Sequence, residues 1–159
     1  MVALALIVLS LSAACGSSPT RPSTPTRAQA NPADPSLLVE SEPGYGRLVT
    51  DPEGSPLYAW TGGGRGGICG PACPKSWIPL DVPNGATANA GVGVRNALIG
   101  TVPAPGGDRQ ITYRDHPVYI YLGDTTTQEV NGNGKKAKGG TFRAIEPSGK
   151  LAPRRARHH

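Results

Sequence analysis

The chain has 159 residues, and glycine (22) and proline (17) make up about a quarter of it. That composition excludes a helical bundle, points to short strands joined by many turns, and leaves room for one domain of ordinary size. The formal charge is +5, but Lys150, Arg154, Arg155 and Arg157 crowd the last ten residues without an acid. The remainder is close to neutral, so a nucleic-acid partner is not expected.

The chain opens on an apolar run, Val2 to Leu11, followed by Ser12-Ala13-Ala14 and then Cys15. The apolar stretch is well short of the roughly 20 residues that span a bilayer. Small residues before a cysteine are the pattern of a bacterial lipoprotein signal, so residues 1–14 read as a signal peptide and Cys15 as the lipidated new N-terminus. No Lys or Arg precedes the run and Ser12 stands where Leu is commonest, so the natural start is expected upstream. Residues 15–43 carry six prolines and many Ser and Thr; they read as a disordered tether lifting a domain off the membrane. Leu37-Leu38-Val39 opens the ordered part, as a first strand or a clip onto it.

Residues 44–149 read as one compact all-β domain with little helix. No stretch keeps a 3.6-residue apolar period, and the same pattern occurs twice. In the first copy, about 45–85, Arg47-Leu48-Val49-Thr50 leads through a turn to Pro56-Leu57-Tyr58-Ala59-Trp60, and later to Trp77-Ile78-Pro79-Leu80-Asp81. In the second, about 107–149, Arg109-Gln110-Ile111-Thr112 leads to Pro117-Val118-Tyr119-Ile120-Tyr121, and later to Phe142-Arg143-Ala144-Ile145-Glu146. Each copy is thus a three-stranded unit, and pairing the two covers the apolar face that a lone meander leaves open. Lys135, Lys136 and Lys138 fall in a Gly/Asn-rich stretch that reads as a loop. Residues 150–159 read as a basic tail, either solvated or touching an anionic surface.

Alternation along the second strand of each copy puts Leu57, Ala59, Val118, Ile120 and Leu122 on an aliphatic face and Tyr58, Trp60, Tyr119 and Tyr121 on an aromatic one. Two readings of the aromatic face stay open. It is a platform for sugar rings or other flat ligands with Asp124 beside it, or it is core between the copies with Asp124 capping a turn.

Cys69 and Cys73, with Gly70-Pro71-Ala72 between them, suit a disulfide outside the cytoplasm that would hold the stretch Gly62–Gly67 against Trp77. A redox-active or metal-binding pair, or two free thiols, are the alternatives. His116 sits in a turn. No G-x-S-x-G, H-E-x-x-H or P-loop pattern is present, so neither catalysis nor a cofactor is expected.

Tyr119-Ile120-Tyr121-Leu122-Gly123-Asp124 fits Y-x-[FWY]-x-x-D. With Cys69 and the run Cys73-Pro74-Lys75-Ser76-Trp77-Ile78-Pro79, it resembles a bacterial family of predicted lipoproteins with a secreted repeat of unknown function. The likeness spans about residues 45–149. It departs from the pattern at Gly63, where the first copy lacks the acid, and at Ile78, where a proline is usual. No settled activity comes with that family. Residues and resemblance together describe a lipid-anchored, extracytoplasmic protein on the cell membrane, a non-enzymatic module that binds or scaffolds an envelope glycan or protein. The alternative is redox or metal handling through Cys69 and Cys73.

Overall fold

A computed structural model describes residues 36–64, 66–71 and 73–154. The expected signal peptide, Cys15, most of the expected tether and the last five residues lie outside the described residues. These contain no α-helix, only two short 3₁₀ turns at Asn96–Leu98 and Pro105–Gly107.

The strands in chain order are β1 (Leu38–Glu42), β2 (Gly46–Thr50), β3 (Tyr58–Trp60), β4 (Trp77–Pro79) and β5 (Asp81–Val82). They continue with β6 (Ile99–Pro103), β7 (Arg109–Tyr113), β8 (His116–Tyr121), β9 (Lys136–Ala137) and β10 (Gly140–Ala144). All six strands expected from the sequence form. Strand β6 was not expected, and the lysine-rich stretch around Lys136 is a hairpin, β9–β10, and not an open loop. His116 is the first residue of β8. The two-residue turn before it, Arg114-Asp115, has φ of +48° and +66°, the left-handed twist that a tight hairpin requires.

Strands β1 and β2 form an antiparallel ribbon; the larger sheet runs β5-β7-β8-β3-β10-β9, with β4 also on β8 and β6 on β7. The third strand expected in each three-stranded copy pairs with the second strand of the other copy. Strand β4 pairs with β8 (Trp77 opposite Tyr121) and β10 with β3 (Phe142 opposite Trp60). Each hairpin splays and admits the residue that directly follows the incoming strand. Ile145 accepts from Val49 N–H at 2.8 Å and donates to Leu57 O at 3.1 Å; Leu80 accepts from Ile111 N–H at 2.8 Å and donates to Val118 O at 3.1 Å. Tyr58 lies opposite Tyr119 where β3 meets β8.

The central sheet separates two cores, as the alternation requires. Val49, Leu57, Ala59, Leu80, Ile111, Val118 and Ile145 fill one side. Leu48, Tyr58, Cys69, Trp77, Tyr119 and Phe142 fill the other. The folded chain extends past 44 and 149, and at its start Leu38 and Val39 of the segment read as a first strand or clip belong to β1. Strand β1 already lies N-terminal to residue 44, with buried Leu37 bridging to Ala90. At the other end Leu151 bridges to Ile145, and buried Ala152 donates its N–H to Ala144 O at 2.8 Å.

Candidate functional site

The aromatic face is core. Tyr58 and Tyr119 are fully buried, and Trp60 and Tyr121 are half-buried. Trp77 stacks on Phe142 (ring centroids 3.5 Å, planes 8° apart) and tilts against Tyr121 at 4.5 Å. Tyr58 meets Trp77 edge-on at 5.3 Å, and Tyr119 meets Phe142 edge-on at 5.4 Å. The platform reading is therefore corrected for Tyr58 and Tyr119, whose faces no ligand reaches. Trp60 and Tyr121 each lie against a glycine four residues after the strand's first tyrosine, Gly62 and Gly123, where a Cβ would collide with the ring.

Asp124 acts on the other half of the fold. Tyr58 Oη donates to Asp124 Oδ2 at 2.6 Å, and Asn131 N–H donates to Asp124 Oδ1 at 2.7 Å. The carboxylate thus ties β3 to the loop that follows β8. In the first half Gly63 stands where the acid would be, and Tyr119 Oη instead accepts the Cys69 N–H at 3.0 Å. Burial, then the bond to Asp124, raises the Tyr58 hydroxyl far above its ordinary value, so it stays a donor.

Cys69 and Cys73 sit at disulfide distance, with Cα atoms 5.2 Å apart. Buried Cys69 joins the Trp77 cluster directly. Within the glycine stretch, Gly62 and Gly63 close around Trp60. Between the cystine loop and the outer edge of β4 runs an open groove of about 850 Å³. Trp77 and Pro79 line it, with Ile68, Cys73 and Leu122 among the wall residues and Gln110 and Lys75 as polar members. Ile68 is 44% and Leu122 57% exposed. Leu122 was expected to continue the aliphatic face, but β8 ends at Tyr121, and the next side chain turns into the groove. No sequence period marks these wall residues, because they come from loops. A run of small and apolar residues around a short Cys pair was the available signal.

Three carboxyls are held above their ordinary range. Glu42 is raised to about 7 by burial, then by repulsion from Glu40 and Asp124. Asp51 is raised to about 6 by burial against hydrogen bonds from Ser55, with repulsion from Glu53 adding to the rise. Burial also raises Asp124, outweighing its bonds from Tyr58 and Asn131. A raised folded-state pKa means the folded protein holds protons more tightly than the unfolded chain. The stability from Glu42 and Asp51 is complete below about pH 4 and is lost as pH rises through 6 and 7. Glu42→Gln is therefore expected to raise Tm at pH 8 and leave it nearly unchanged at pH 4. Thermal melts at the two pH values check this, and an increment independent of pH contradicts it.

A family model described as a secreted repeat of unknown function matches residues 100–141, a span from β6 into β10 that contains the Tyr119–Asp124 segment. A secreted repeat fits an extracellular or envelope location. No curated protein and no solved structure matches the chain. Among the described residues no helix is long and apolar enough to cross a membrane.

Proposed function

We propose that the chain is a non-enzymatic envelope module, moored to the membrane through an acylated Cys15, that takes an amphiphilic ligand in the groove beside β4. Two copies of one strand pattern, about 45–85 and 107–149, build the domain; the matched bonds at Ile145 and Leu80 support that duplication. The observation that carries the binding role is the groove itself. Its volume of about 850 Å³ lies within the roughly 300–1,000 Å³ of small-molecule sites. Ile68 and Leu122, two large apolar side chains left in water, line its walls. Exposed apolar surface gathered in one concave place marks a binding site more than scattered residues do.

Apolar chemistry favours a lipid-like body over the glycan considered from sequence, since the stacking faces of Tyr58 and Tyr119 are buried. Lys75 supplies a positive charge suited to an acidic headgroup. Strand β4 pairs on one side only, and Pro79 removes a donor from its strand, which disfavours addition of a further strand there. The Cys69–Cys73 link serves as the wall's fastening in this reading, and nothing in its surroundings favours redox handling over that role.

Binding of 1-anilinonaphthalene-8-sulfonate, an anionic probe, and N-phenyl-1-naphthylamine, a neutral one, tests the assignment. Leu122→Ser and Ile68→Ser are expected to weaken both probes about fivefold or more while leaving Tm within about 2 °C, since both side chains are exposed. Lys75→Ala is expected to weaken the anionic probe alone. Unchanged affinity for both probes in all three variants would remove the groove from consideration.

A further inference from the structure

We propose that a second cavity, between β1 and the β2–β3 turn, binds an organic cation through a primary ammonium or guanidinium group. The cavity measures about 230 Å³ and is lined by Glu40 and Glu42 of β1, Glu53 of the turn, and Thr127 and Gln128 of the loop after β8. It is separate from the apolar groove, with which it shares no lining residue.

Strand geometry accounts for the concentration of negative charge. Glu40 and Glu42 are two apart on β1 and so share a face, and their partners across the ribbon are Leu48 and Gly46. Arg47 pairs with Ser41 and therefore belongs to the opposite face, where its guanidinium lies over Gly93. The ribbon supplies two carboxylates to the cavity and turns its cation away. Glu53 adds a third from the turn, and Asp124 repels Glu42 from the loop after β8.

The second observation is Glu42 itself. Its side chain lines the cavity, the residue is only 3% exposed, and its Oε2 has no hydrogen-bond partner. A buried acceptor left unmatched is costly, and more so when charged. A donor cation in the cavity would satisfy it and offset the repulsion from Glu40 and Asp124. Among the described residues no three His, Cys, Asp or Glu side chains converge closely enough to hold a metal ion. A volume of this size with carboxylates spread around it suits a larger cation, whose N–H groups reach oxygens at roughly 2.7–2.9 Å. Because Glu42 holds its proton up to about pH 7 in the empty cavity, the cation is expected to displace that proton.

The full chain, labelled for NMR, is titrated near pH 6.5 with butylammonium, agmatine and an end-blocked tripeptide containing lysine. Tetramethylammonium serves as a salt control and calcium as the metal alternative. The expected result is saturable shifts at the amides of Glu42, Gly54 and Thr127, with proton release detected by calorimetry in two buffers. Glu42→Gln is expected to weaken binding about tenfold or more and abolish the proton release; Glu40→Gln, at an exposed position, should weaken it by a smaller factor. Butylammonium binding as well as the tripeptide supports a free amine as ligand, and binding of the tripeptide alone supports a lysine carried on a peptide. The proposal is overturned by equal shifts with tetramethylammonium, by saturation with calcium while the amines stay inert, by no response to any amine, or by affinity unchanged in both variants.

Discussion

Phe142→Ala is expected to lower the free energy of unfolding by about 3–5 kcal/mol, the range for removing a buried aromatic ring. Phe142 is fully buried, stacked on Trp77 and met edge-on by Tyr119. Its neighbours have little freedom to close the space. Trp77 is fixed on β4 against Tyr121, and Tyr119 is tied by its hydroxyl to the Cys69 amide. The ring also bridges the exchange of strands, since Phe142 belongs to β10 and Trp77 to β4, one from each half. Urea melts followed by tryptophan fluorescence measure the effect. A loss under about 1 kcal/mol would show that the two halves hold together without this stack.

Asp124→Ala is expected to cost about 2–3 kcal/mol, because it strands the buried Tyr58 hydroxyl and frees the Asn131 amide together. Tyr58→Phe alone is expected to cost less, about 1–2 kcal/mol, since it removes one hydroxyl and leaves the carboxylate bound to Asn131 N–H. The double variant is expected to fall short of the sum by about 1–2 kcal/mol, the coupling that contacting residues show. Additive losses would mean that the 2.6 Å contact contributes little. A Tm unmoved by Asp124→Ala would restore this residue to the ligand-binding role considered from sequence.

The fold's faces were legible in the chain and the site was not, for reasons that particular residues show. Leu57 and Ala59 alternate with Tyr58 and Trp60, and strand geometry allows only one division of such a pattern between two faces. Alternation says nothing about what covers a face. Tyr58 and Tyr119 are buried in one cluster with Cys69 and Val130, which come from loops with no periodicity to read. The partner of Asp124 lies 66 residues away, so the sequence shows the acid beside Tyr119 and Tyr121 while its hydroxyl partner is in the other half. Ile68 and Leu122 stand out only once the cystine loop and the end of β8 are brought together. Glu42 stands out only once Arg47 is seen on the opposite face of the ribbon.

By itself, then, the sequence determined strand content, the split between aliphatic and aromatic faces, and the order of similar segments. Each of these depends on neighbours within a few residues, where backbone geometry leaves few choices. Tertiary structure alone decided the exchange of β4 and β10 between halves, the burial of the tyrosines and the position of both cavities. Those outcomes depend on which distant surfaces meet. Several pairings of the same strands satisfy the local pattern, and the packing of rings such as Phe142 and Trp77 across the halves selects among them.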